Sequence, residues 1–176
     1  WCDNVYVLGG RIAVEAGATL TICPGTIVKG QAGTGVNATA LLVARGAMLM
    51  AEGTADDPII FTADADPLDG TNLQTKGLWG GVVILGKAKA GTKGTGADVG
   101  TASIEGIPAT QGLIYGGTDD ADNSGVLKYV SIRYGGTALA TDEEINGLTL
   151  GGVGSGTVLD NIEVIYNDDD GIEFFG

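Results

Sequence analysis

Two eight-residue segments, LKYVSIRY (127–134) and LDNIEVIY (159–166), share the pattern L-x-x-[VI]-x-[IV]-x-Y at an offset of 32 residues. They are not the only copies in the chain. VEAGATLTICPGT (14–26) aligns with VARGAMLMAEGT (43–54), which has one residue fewer. GGVVILG (80–86), NGLTLGG (146–152) and DGIEFFG (170–176) each set a turn glycine before apolar residues at alternating positions. Helical periodicity is nearly absent, so the repeats are carried by strands without helices between them. Irregular self-similarity at roughly 20–35 residues in such a chain predicts a β-solenoid, in which each coil buries the apolar face its neighbour cannot bury alone.

Short runs rich in Val, Ile, Leu and Thr predict strands over 5–8, 11–14, 19–22, 26–30, 40–44, 48–51, 58–63, 81–86, 113–116, 129–134, 148–152, 161–166 and 172–175. Stacking the long repeats in register places Leu127 over Leu159, Val130 over Ile162, Ile132 over Val164, Tyr134 over Tyr166, and Lys128 over Asp160. Ile172 and Phe174 take the inward positions that Leu148 and Leu150 take one coil earlier. Six or seven coils at ~4.8 Å per step are expected. The rival fold, a β-sandwich, predicts evenly spaced strands and hairpin turns rather than segments matched a coil apart.

The 176 residues suffice for one domain, 1–176, or for a piece of a longer solenoid; a first residue that is Trp rather than Met points to a processed form or a fragment. Thirty-two glycines with 44% apolar and 18% charged residues describe an ordered, turn-rich β protein. A net charge of −13 repels phosphate backbones and argues against nucleic acid as a partner. With no histidine in the sequence, a Ser-His-Asp triad and a histidine-ligated zinc site are excluded. No run approaches the ~20 apolar residues of a membrane helix. Cys2 and Cys23 lie about one coil apart; the preferred reading is a disulfide and hence an exported, extracellular location, the alternative being two unrelated buried thiols. Residues 87–110, rich in Gly, Ala, Thr and Lys, predict a loop excursion from one corner, where binding specificity can be built.

Several segments invite chemistry. GTGVNA (33–38) fits a relaxed dinucleotide fingerprint, but a strand follows it where a helix is required. Asp119, Asp120, Asp122 and Asn123 gather in one turn, and Asp168 and Asp170 share one side of the last corner; clustered oxygens of this kind suit calcium, although the spacing and bidentate Glu of an EF-hand are missing. Otherwise these are turn residues satisfying local backbone donors. The carboxylates of 168–173 also invite a glycoside hydrolase reading, and a lyase reading needs an Arg or Lys base. Residues 134–176 carry nine acids and no Lys or Arg, which leaves Lys128 and Arg133 one coil back as the nearest bases. Trp79, Tyr115, Tyr134, Tyr166, Phe174 and Phe175 fall on or beside the strands, either as packing or as a sugar-stacking platform.

The succession GATLTICPGTIVKG, GAMLMAEGTADDPIIFT, GLWGGVVILGKA, DNSGVLKYVSIRYGG, EINGLTLGGVGSGT and NDDDGIEFFG resembles the right-handed parallel β-helix region of secreted or surface-attached bacterial proteins of the Bacteroidota type. The resemblance spans nearly the whole chain and implies a right-handed single-stranded parallel β-helix, but brings no catalytic residues with it. The expected role is a non-catalytic extracellular or cell-surface scaffold or interaction protein. Its partners would be further copies stacked end to end into a filament, other surface proteins, or glycans. The alternative is a glycan-binding or polysaccharide-degrading β-helix using a groove beside the 87–110 excursion and the acidic turns, marked by an open cleft where two carboxylates, or a carboxylate and Lys128 or Arg133, converge with an exposed aromatic. No cofactor is required; calcium is a candidate ligand of the acidic turns.

Overall fold

A computed structural model describes residues 1–91, 100–107, 113–141 and 143–176. The chain winds through three strands per turn. The first turn is β1 (Val5–Leu8), β2 (Arg11–Val14) and β3 (Thr19–Ile22), and the second is β4 (Ile27–Gly30), β5 (Ala40–Val43) and β6 (Met48–Glu52). The third holds β7 (Ile59–Ala63) and β8 (Gly81–Leu85). After the short β9 (Thr101–Ala102) and β10 (Tyr115–Gly116), the long β11 (Gly125–Arg133) closes the third turn and opens the fourth. A small pair, β12 (Ala138–Ala140) and β13 (Glu143–Glu144), precedes β14 (Leu148–Gly151), β15 (Val158–Ile165) and β16 (Ile172–Phe175).

All the stacking contacts are parallel. One sheet runs β2-β5-β8-β14-β16; the other, seven-stranded, contains β1, β4 and β7 beside one half of β11 and β3 and β6 beside the other, with β15 on the far side of β11. This is a parallel β-helix. Four complete turns and two strands of a fifth result, fewer than the six or seven expected, because 64–80 and 86–124 are long connections between successive strands of the stack.

The repeats stack in the register their sequences imply. Leu127 pairs Leu159, Val130 pairs Ile162 and Ile132 pairs Val164. Likewise Leu148 lies between Val82 and Ile172, and Thr19 pairs Met48. Alternate residues of each strand point inward, so Val28, Leu41, Leu49, Phe61, Val82, Ile84, Leu127, Ile132 and Leu148 fill one continuous interior. Trp79 joins it from the 64–80 connection and packs where Gly30 has no side chain; a Cβ on Gly30 would lie 2.7 Å from the indole.

The bend between the two halves of the seven-stranded sheet is made by backbone in the left-handed region. Tyr129 (φ 47°) and Asn161 (φ 55°) occupy the same corner of successive turns and are skipped by the pairing register. Tyr134 (φ 59°) and Tyr166 (φ 54°) do the same at the next corner. A non-glycine residue there costs about 1 kcal/mol or more, offset at the second corner by ring stacking of Tyr134 on Tyr166 at 5.2 Å.

The five-stranded sheet is apolar on its inner face and, over β5 and β8, on its outer face as well. Ala40, Leu42, Val83 and Leu85 point outward and are covered by Ile104, Ile107, Leu113, Tyr115 and Ile145. The described part of the expected 87–110 excursion therefore lies against this sheet; 92–99 and 108–110 fall outside the described residues. Cys2 and Cys23 form a disulfide with Cα atoms 5.0 Å apart, joining the approach to β1 to the end of β3. At the two ends of the stack, Val5, Val7 and Ile12, and Ile172 and Phe174, are exposed.

Phe61→Ala, which opens a hole in the interior, is expected to cost about 3–5 kcal/mol in chemical denaturation. Asn161→Gly, which keeps the left-handed corner, should change stability by less than about 1 kcal/mol. Reduction of the disulfide, which closes a loop of 21-residue separation, should cost about 3 kcal/mol in the same assay.

Candidate functional site

The inward-outward alternation that builds the core also selects what the outer face carries. On β11 the inward residues are Val130 and Ile132, so Ser131 and Arg133 face out; on β15 Glu163 and Ile165 lie over them in register. The same outer row holds Val5, Ile27 and Ile60 on the earlier turns. Its character thus changes along the axis from apolar to charged.

Ser131 is buried and donates its hydroxyl to Glu163 Oε2 at 2.5 Å, while Arg133 Nε donates to Ser131 Oγ at 2.8 Å. Arg133 Nη2 lies 3.9 Å from the same carboxylate. The backbone carbonyl of Arg133 accepts a hydrogen bond from Trp79 Nε1 at 2.8 Å, which fixes the strand from behind. Because each of the three side chains is held by another, the cluster is pre-positioned rather than adaptable.

The 64–80 connection forms a wall beside this cluster. Lys29 Nζ donates to the carbonyls of Asp64 and Asp66 at 3.1 and 2.7 Å. Asp66, itself buried, accepts from the Thr62 hydroxyl at 2.6 Å and from the Leu68 N–H at 2.9 Å. Further along, the Thr71 hydroxyl and, with it, the Thr71 N–H hydrogen-bond to Asp69 and hold its carboxyl below its usual range. Leu73 N–H reaches the Tyr134 hydroxyl at 3.3 Å, tying the wall to the tyrosine pair. Between wall and sheet lies a depression of 200 Å³ lined by Asp66, Asn72, Arg133, Glu163 and Tyr166. A second of 320 Å³, lined by Pro58, Tyr129, Ser131 and Asn161, shares Arg133 and Glu163 with it. The two adjoin at Arg133 and Glu163 as an open groove rather than a closed pocket, beside the 64–80 connection and not beside the 87–110 excursion and the acidic turns.

Here a carboxylate and Arg133 meet an exposed aromatic, since Tyr166 is 43% exposed over the buried Tyr134. The other aromatics distribute differently. Trp79, Tyr115 and Tyr134 are packing residues, and Phe175 lies against Tyr115 with ring centroids 6.2 Å apart. Phe174 is exposed at the end of the stack, beside a cavity of 360 Å³ lined by Leu150, Val153, Leu159 and Phe175. Lys128 pairs Asp160 at 3.6 Å as its register implies, on the other half of β11.

The acidic turn before β11 is organised by its own backbone. Asp119 accepts from the Ala121 N–H at 3.2 Å, Asn123 from the Gly125 N–H at 2.7 Å, and Asp122 from the Lys87 N–H and the Ser124 hydroxyl. Asp120 takes both the N–H and the ammonium of Lys89, which lowers the Asp120 carboxyl and raises Lys89. Gly125 closes the turn with φ 116°; a Cβ there would lie 2.1 Å from the Leu49 carbonyl oxygen. Asp168 and Asp170 sit at a different corner, exposed, where Asn167 Nδ2 donates to the carbonyls of Asp169 and Asp170. The structure does not bring the two acidic turns together, and among the described residues no group of three or more His, Cys, Asp or Glu is arranged to hold a metal ion.

A second polar cluster was not legible as one. Glu173, outward on β16, lies over Thr149 on β14 and accepts a hydrogen bond from Asn146 Nδ2. Partial burial pushes the Glu173 carboxyl above its usual range; the Asn146 hydrogen bond opposes this, while Glu105, Asp170 and Asp169 add to it. The only available signal was the register of NGLTLGG over DGIEFFG, which stacks Glu173 on Thr149. Similarly, the offset of 32 residues sets Glu163 over Ser131, although neither residue stands out in the sequence.

A raised carboxyl favours the fold while protonated. Its contribution is present below the ordinary glutamate range and is lost as pH rises through the folded-state value. Glu173→Gln should therefore gain in Tm relative to the parent as pH increases from about 4 to about 7; a difference independent of pH would contradict this.

A family model described as a pectate-lyase-like β-helix domain matches residues 2–176, and the chain belongs to that family. No curated protein and no solved structure matches it.

Proposed function

We propose that this member of the pectate-lyase-like β-helix family is a non-catalytic extracellular recognition scaffold that binds a linear glycan along the outer face of β11 and β15. The observation that carries the reading is the groove in which Arg133, Ser131 and Glu163 form one hydrogen-bonded row beside the exposed ring of Tyr166. A pyranose ring offers an apolar face for a tyrosine and hydroxyls that both donate and accept, the two properties this row answers. Two adjoining open depressions, sharing Arg133 and Glu163, suit a chain lying along the surface better than a compact molecule enclosed by it. Arg133 and Glu163 offset each other's charge, which favours a neutral sugar over a strongly acidic one.

Binding rather than hydrolysis is the better-supported role because both carboxylates lining the groove are engaged. Glu163 already accepts from Ser131 and faces Arg133, and Asp66 is held by Thr62 and Leu68. A glycosidase pair requires one carboxyl free to hold a proton and another free to attack or activate water. The disulfide supports an oxidising, extracellular setting.

Affinity electrophoresis and calorimetry against a panel of neutral and acidic oligosaccharides test the glycan reading. A neutral oligosaccharide should bind without being cleaved, and Tyr166→Ala and Arg133→Ala should each weaken it about tenfold, the scale of one stacking face or one charged hydrogen bond. Unchanged affinity in both folded variants, or release of new reducing ends, would overturn the proposal.

A further inference from the structure

Taking the groove as a glycan site, as proposed above, we infer that Leu68 determines its specificity: with Tyr166 it selects a β-linked chain of all-equatorial pyranoses, of gluco or xylo configuration. Of the six non-glycine residues with positive φ among the described residues, five line the two depressions. Leu68, Tyr134 and Tyr166 line one, and Tyr129 and Asn161 line the other. Backbone held in sparsely populated regions gathers at binding sites, where the surrounding structure over-determines it.

Four of these five turn corners of the stack, which accounts for their conformation. Leu68 (φ 60°) turns none. It lies in the 64–80 connection, where a bulky residue in the left-handed region is an outlier, and two positions on the same turn uses a glycine, Gly70 (φ 85°). Asp66 holds the strained backbone in place, its carboxylate accepting the Leu68 N–H at 2.9 Å and the Thr62 hydroxyl at 2.6 Å.

Core packing does not account for Leu68 either. Leu73 and Leu78 of the same connection pack against the interior and Trp79 belongs to it, whereas Leu68 belongs to neither apolar cluster. Its half-buried side chain instead lines the 200 Å³ depression from the wall, as Tyr166 does from the sheet. The same depression has Asn72, Arg133 and Glu163 as polar lining.

A pyranose with every substituent equatorial carries only axial C–H bonds on its two faces and directs its hydroxyls to the ring edge. Such a ring offers one face to Tyr166 and the other to Leu68, while its edge hydroxyls reach the polar lining. An axial hydroxyl, as at C2 of mannose, interrupts one face. Both orientations of that ring set the hydroxyl against one of the two apolar groups, where it loses its water without gaining a partner. An equatorial β linkage also keeps the chain extended along the open groove.

Calorimetry with cellotetraose, xylotetraose and β-1,4-mannotetraose tests the assignment on the parent, Leu68→Gly and Leu68→Asn. Both replacements accept the left-handed backbone and remove the apolar group. The parent should bind cellotetraose or xylotetraose about tenfold more tightly than mannotetraose. Each variant should lose about five- to tenfold in affinity for the equatorial sugar and most of that preference, with a Tm no lower than the parent's, since strain is relieved and no core contact is lost. Equal affinity of the parent for all three, binding confined to other neutral oligosaccharides, or a preference that survives in both folded variants would overturn the role of Leu68 and leave sugar binding by the groove standing. Absence of binding to any neutral oligosaccharide would overturn both.

Discussion

The parallel pairing of β11 with β15 is the contact on which the remainder depends. Seven residue pairs are set in register from Val126 on Val158 to Arg133 on Ile165, with one corner residue of each strand skipped between them. The same strand also joins β6 on one half and β7 on the other, so β11 locks two faces of the prism to each other. A slip of one residue would turn Val130 and Ile132 outward and draw Ser131 and Arg133 into an interior that offers them no partners. Apolar burial therefore fixes the register, and the register fixes the groove.

This coupling explains how a repetitive framework acquires a local site. The inward rows vary little because each must fit the rows above and below it, whereas the outward row from Val5 through Ile27 and Ile60 to Ser131 and Glu163 is released from that demand. The two long connections then differentiate the faces. The 64–80 connection walls the side bearing Arg133 and Tyr166, and the residues after β8 cover the five-stranded sheet with Ile104, Ile107 and Tyr115. Covering that sheet also creates the enclosed polar environment of Asn146 and Thr149.

Much of the strand framework was legible because period-2 alternation and matched segments are local signals. Tyr134 over Tyr166 and Lys128 over Asp160 follow from counting 32 residues along the chain. What sequence reasoning missed was carried by contacts between distant segments. Nothing in PLDGTNLQ announces that 64–80 forms a wall, since its anchors are the side chain of Lys29 and the hydroxyl of Tyr134. The double-sided apolarity of ALLV and GVVIL was visible, but its meaning, a second layer outside the sheet, required knowing what packs there. The conspicuous acidic turn before β11 is organised by its own backbone, whereas strand register brings the less conspicuous Ser131 to Glu163 and Asn146 to Glu173.

The central claim is that a sugar chain lies across β11 and β15 beside the 64–80 wall. Hydrogen–deuterium exchange with and without a bound neutral oligosaccharide tests it most directly. The account predicts added protection confined to 66–72, 129–134 and 161–166, with the five-stranded sheet unchanged. Protection centred on the five-stranded sheet or on the 118–125 turn would contradict it.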